Sequence, residues 1–149
     1  MKWEYAQFER YQGVREYIDT AVIPFVGIDV GQAMEQKLQQ AQLVIGISSY
    51  IEEQLVGRVM LFPTYSYSIG GLHHELDLMN KLTTHLLENG FKHVIWTAAG
   101  QDLTDISSGI LGQLFLVDDQ LGTEGLKQGN MREMGEQLLP AFIKFWENG

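Results

Sequence analysis

Apolar and polar positions along the chain follow two periods, and the switches between them mark out the elements. From Glu4 to Tyr17 the residues Phe8, Tyr11, Val14 and Ile18 recur every three or four positions, which predicts a helix weakened at Gly13. Ala21 to Val26 is short, continuous and β-branched, the pattern of a buried strand. Pro24 inside it lacks a donor and predicts an edge position or a bulge. Val30 to Val56 predicts a long helix with two stripes, Met34, Leu38, Ala41, Ile45 and Ser48 beside Val44, Ile47, Ile51 and Leu55. Gly46 predicts a kink in it and Gly57 a left-handed cap at its end.

Val59 to Phe62 reads as a second strand, closed by Pro63, and Thr64 to Gly71 as a polar, aromatic loop. The clearest helix follows, with Leu72, Leu76, Met79, Leu82 and Leu86 on one face and a stop at Asn89-Gly90. Lys92 to Thr97 is a third strand, Asp102 to Leu111 a loop or short helical turn, and Gln113 to Val117 a fourth strand followed by Asp118-Asp119. A last helix runs from Gln128 to Trp146, with Met131, Met134, Leu138, Ala141 and Phe145 as its apolar stripe and Pro140 to kink or split it. Short apolar strands alternating with amphipathic helices predict an α/β fold: a three-layer α/β/α sandwich, Rossmann-like, with a mostly parallel sheet of about four strands. Residues 1–149 then form a single domain.

Composition narrows the function classes. Ten Lys+Arg against 19 Asp+Glu give a formal net charge of −9, which argues against nucleic acid or an anionic membrane as partner, because phosphate binding needs a basic face. The chain has no cysteine, so disulfides, thiolate catalysis and cysteine-based zinc sites are all excluded. No secretory pattern follows the start of the chain, and the most apolar run, Thr20 to Ile28, is too short to span a bilayer, so the expectation is a cytoplasmic protein without membrane insertion.

In open α/β sheets, ligands bind beyond the carboxyl ends of the strands. Asp29, then Tyr65 and Tyr67, then Thr97, Gln101 and Asp102, then Asp118 follow successive strands and are the candidate ligand-binding residues. His73 and His74 join them from the start of the next helix, where Asp77 stands one turn after His73. Three aspartates at one rim suit a hard cation, and equally they suit turns and helix starts, where aspartate is common. No HExxH, no P-loop, no GxGxxG and no GxSxG is present. Ser68-Ile69-Gly70-Gly71 offers backbone amides to an anion without completing any phosphate motif.

Two resemblances bear on these residues. Trp3, the stretch Tyr17 to Pro24, Gly57-Arg58 before a strand, Pro63 with Tyr65, and Gly90-Phe91-Lys92-His93-Val94 resemble the YpiF-like proteins, an uncharacterised family of Bacillus-type bacteria. More distantly, Leu61-Phe62-Pro63-Thr64-Tyr65, the helix from Leu72 to Asn89, and Gly90 to Trp96 resemble the layout of the creatininase family. That second resemblance implies a creatininase-like fold and metal ligands in a Glu-x-His and an Asn-Gly-His segment. Here the corresponding places read Gly27-Ile28-Asp29-Val30-Gly31-Gln32 and Thr97-Ala98-Ala99-Gly100-Gln101-Asp102, so the ligands are missing. The expectation is a non-catalytic protein without cofactor or metal. It would bind a partner protein or a small molecule at the carboxyl end of the sheet, and pair as a homodimer. The alternative is a metal-dependent hydrolase of a small amide or phosphoester, with Asp29, Asp102 and Asp118 holding the cation.

Overall fold

The computed structural model describes residues 1–68, 70–118 and 130–148. A 3-10 turn, Tyr5–Gln7, leads into α1, Phe8–Val14, and then come β1 (Thr20–Ile28), α2 (Met34–Gln54), β2 (Val59–Leu61) and β3 (Tyr65–Ser68). The clearest predicted helix is α3, Leu72–Glu88, followed by β4 (His93–Ala98), 3-10 turns at Gln101–Asp105 and Ser107–Gly109, β5 (Gln113–Leu116) and α4 (Met131–Asn148). Asp119 and the predicted helix start at Gln128 lie outside the described residues, as does Ile69. No helix among the described residues is long and apolar enough to cross a membrane.

The strands form one parallel, five-stranded sheet in the order β2-β1-β4-β5, with β3 also on β1. β1 is therefore central rather than at an edge. Its first residues pair with β2 (Thr20↔Val59 to Val22↔Leu61) and its last with β3 (Phe25↔Tyr65 to Ile28↔Ser68), while Thr20 to Pro24 pair with β4 on the other side. Pro24 is tolerated for a local reason. The Val22 carbonyl accepts from the Phe62 N–H at 2.9 Å, so Val22, and Pro24 two residues on, turn their backbone groups to the β2–β3 side. The missing donor of Pro24 thus faces the gap where Pro63 interrupts that neighbour. The stretch expected to be a loop, TYSYSIGG, begins with a real strand, β3; its alternating polar residues hid a pairing with one side of β1 only.

Alternation along β1 and β4 feeds two cores. Ala21, Ile23, Phe25, Val94, Trp96 and Ala98 face α3, whose Met79 and Leu86 pack on them, with Tyr11 and Val14 of α1 beside. Val22 and Ile95 face the other layer, made by Leu43, Ile47 and Ile51 of α2 and Met134, Leu138, Phe142 and Trp146 of α4. The buried line of α2 follows the second predicted stripe; Met34, Leu38 and Ile45 of the first point outward. Gly46 is a contact rather than a kink signal: a side chain there would collide with Met131, and one at Gly135 would come within 2.6 Å of the Tyr50 ring, so the two glycines let α2 and α4 touch. Gly57 does not take the left-handed conformation; Gly90, after α3, does, at φ +104. α4 runs through Pro140 unsplit; Pro140 and Glu136, the residue whose carbonyl it leaves without an N–H, are both exposed residues of the helix.

Candidate functional site

The start of α2 and the segments that follow β3, β4 and β5 surround a cleft of about 1190 Å³. One wall is the first half of α2, where Ala33, Gln36, Lys37 and Gln40 share a face at helical spacing. The other is the segment after β4, with Gly100, Gln101, Asp102 and Asp105, closed by Asp118 after β5. Gly70, Leu72 and His73 at the start of α3, and Met131 and Met134 of α4, complete the rim.

Two glycines set the geometry. Gly100 adopts φ +117, a conformation a side chain resists, and a Cβ there would come within 2.6 Å of Asp102 Oδ1. Its N–H donates to Asp118 Oδ2 at 2.9 Å, which pins the turn. Gly27 lies under Tyr67: a Cβ would meet the ring at 2.8 Å, so only glycine lets this tyrosine lie flat across β1. Tyr67 stacks on Phe25 at 4.6 Å between centroids, and its hydroxyl donates to Asp102 Oδ2 at 3.2 Å. Burial first, then the charge of Asp102 and the hydrogen bond to it, hold the Tyr67 phenol well above the usual phenol range.

Lys37 stands opposite. It is only 8 % exposed, yet its ammonium reaches the cleft and makes no hydrogen bond among the described residues. The carboxylate of Asp102 is at 3.6 Å, and the Tyr67 ring at 5.9 Å. The stem of Lys37 is therefore buried while its charged end stays in the cleft beside a carboxylate.

Four of the nine predicted residues, His73, Gln101, Asp102 and Asp118, line this cleft, and Tyr67 supports it through Asp102. The other four do not. Asp29 accepts the Gly31 and Ala33 amides at 2.9 and 3.0 Å and so holds the turn before α2. Tyr65 lies on the α3 side, packed against Phe25 and Trp96, and donates to Glu75 at 2.7 Å; burial, that hydrogen bond and the Glu75 charge push its phenol up to about 12. Thr97 is fully buried and hydrogen-bonded to Ser48. His74 is exposed on α3, and Asp77, suggested as a metal partner for His73, pairs instead with Lys81 at 3.1 Å. Gly71, offered as part of an anion site, donates its amide to the Ser68 carbonyl.

Among the described residues no three His, Cys, Asp or Glu side chains come together as a metal site. Of the three aspartates of the hydrolase alternative, Asp102 and Asp118 share the cleft, while Asp29 is taken up by the turn before α2. Sequence reasoning missed Lys37, Gln36 and Gln40. Their signal was present: one lysine within the glutamine-rich run Gln36 to Gln42, at the start of the helix that follows the first strand.

A curated relative, the uncharacterised protein YpiF of Bacillus subtilis (strain 168), is 26 % identical to this chain over 155 residues, covering 98 % of each. No solved structure matches. These findings bear on the first of the two resemblances; the creatininase likeness is not shown by them. The family described as "Protein of unknown function (DUF2487)" matches residues 9–146, and the chain belongs to that family.

Proposed function

We propose that this protein binds a small polar molecule in the cleft at the carboxyl end of its sheet, as a binding protein rather than a catalyst. The observation that carries the reading is Lys37: a lysine 8 % exposed whose ammonium is directed into a cleft, with the half-exposed carboxylate of Asp102 at 3.6 Å beside it. The stem is held by packing while the ammonium faces the cleft beside Asp102, so a bound acceptor there can meet it without the side chain having to be ordered first. The amides of Gln36, Gln40 and Gln101 in the same lining supply uncharged donors and acceptors that suit the orientation of a polar ligand.

The test is a titration of the ¹⁵N-labelled chain with pools of amino acids, mono- and dicarboxylic acids, sugars and nucleosides, followed by amide chemical shifts. The expected result is at least one pool that shifts residues 33–43 and 99–105 and fails to do so in Lys37→Met. Shifts confined to the other end of the sheet, or none with any pool, would overturn the reading.

A further inference from the structure

The charges around Lys37 narrow the class of ligand, and this step rests on the cleft being a binding site. Lys37 is the one lysine or arginine among the described lining residues, whereas Asp102, Asp105 and Asp118 all belong to the same lining. A polyanion such as a phosphate ester meets one ammonium and three carboxylates, so its net interaction with these walls is repulsive. A purely cationic ligand meets the opposite difficulty, because it leaves Lys37 without an acceptor and adds a like charge beside it.

Lys37 has three donors to fill. Asp102 does not fill them: its nearer oxygen, Oδ2, sits 3.6 Å away and already accepts the Tyr67 hydroxyl at 3.2 Å. The Asp102 side chain is 44 % exposed, so the carboxylate itself is open to a ligand. The cleft thus presents a cation and an accessible carboxylate 3.6 Å apart, and its lining adds glutamine amides that donate and accept alike.

We propose that the ligand is a small zwitterion of the amino-acid kind. Its carboxylate docks on the Lys37 ammonium and its ammonium on the carboxylates of the segment after β4, chiefly Asp102. A zwitterion satisfies both signs at once and adds no net charge to walls that are already acidic. Tyr67 and Gly100 act by positioning: the phenol holds one oxygen of Asp102, and the turn at Gly100 aims that side chain at Lys37.

The experiment compares free α-amino acids with two blocked forms of each, the N-acetyl acid and the carboxamide, by thermal shift and calorimetry on the full chain. At least one free amino acid raises Tm by a few degrees when present far above its Kd. Each blocked form binds at least tenfold more weakly, and Lys37→Met and Asp102→Asn, both close to the natural side chains in shape, each lose binding by a similar factor. An N-acetyl acid that binds as well as the free form would make the ligand a plain carboxylate and overturn the zwitterion; an equally good carboxamide would make it a plain amine and do the same. In both cases loss of binding in Lys37→Met leaves the cleft reading standing. No binding by any amino acid also overturns the zwitterion, and the titration with the other pools then decides the cleft by itself. Binding that is unchanged in Lys37→Met overturns both.

Discussion

The two ends of the sheet pair their charges at different closeness. At the amino end two charged groups among the described residues, the Met1 ammonium and Asp19, meet close partners. The Met1 ammonium donates to the Val59 carbonyl at 2.8 Å and pairs with Glu52 at 3.2 Å, both groups being buried. Asp19 accepts from Arg58 Nε at 2.9 Å and from the Thr20 hydroxyl at 2.8 Å, and the Arg58 guanidinium lies 3.6 Å over the Trp146 ring. At the carboxyl end Lys37 reaches its carboxylate only at 3.6 Å. The amino end also holds a groove of about 490 Å³ walled by Trp3, Tyr5, Phe8 and Phe91, an apolar surface with no comparable acidic lining. One end holds tight charge pairs beside an apolar groove, and the other holds a looser pair on an open, acidic cleft.

Mutations can break that contrast. The largest effect is expected for Glu52→Gln, which leaves the buried Met1 ammonium without its counter-charge and should cost about 3–5 kcal/mol in urea unfolding while sparing ligand binding. Gly27→Ala should cost roughly 1–3 kcal/mol, because the new methyl drives into the Tyr67 ring, and it should weaken binding as Tyr67 releases Asp102.

Arg58→Ala should cost about 1 kcal/mol at neutral pH, the order expected of a partly exposed ion pair with a cation–π contact. It should also change the acid limb. Burial alone would raise the Asp19 carboxyl, but the hydrogen bonds from Arg58 and Thr20 and the Arg58 charge outweigh it, so it lies below its ordinary value. A lowered folded pKa means stability that is present above the ordinary carboxylate range and lost as pH falls through the folded value. The variant should therefore lose less stability on acidification than the natural chain.

At the alkaline side the sign reverses. Tyr67 and Tyr65 are raised above the ordinary phenol value, so the stability they contribute is full below about pH 10 and falls as pH rises beyond it. Tyr67→Phe should flatten that limb, read as Tm against pH, for about 1 kcal/mol at neutrality. The smallest effect on stability belongs to Lys37→Met, expected within about 0.5 kcal/mol of the natural chain or slightly above it, since an apolar side chain of similar length replaces an ammonium with no hydrogen bond. Its whole effect should fall on binding.

How much of this was legible in the sequence depends on the kind of signal. Periodicity revealed α3 and four of the strands, because those elements bury one face or two and the apolar spacing follows. It hid β3, whose Tyr-Ser-Tyr-Ser alternation looks like a loop until the sheet places it beside β1. Of the edge or bulge that Pro24 predicted, the edge fails because β1 is central, while the pairing does slip there: Ile23 and Pro24 stand against three residues, Phe62 to Thr64. For the cleft, strand-end position found His73, Gln101, Asp102 and Asp118 but equally nominated Asp29, whose carboxylate the chain uses to hold its own turn. Lys37 lay in a helix and was invisible to a search confined to strand ends.

The central place of β1 has a consequence for how the chain reaches its fold. β1 is the first strand to leave the ribosome, yet its partner on one side, β4, is separated from it by α2, β2, β3 and α3. No hairpin joins any two neighbouring strands, so each rung of the sheet closes a long loop before it is rewarded. Assembly then waits for His93–Ala98, and until they arrive Thr20–Ile28 has the β2 and β3 segments on one flank and nothing to pair with on the other. Slow refolding, with aggregation of partly made chains as its main competitor, is the kinetic counterpart of a sheet that is built outward from its first strand.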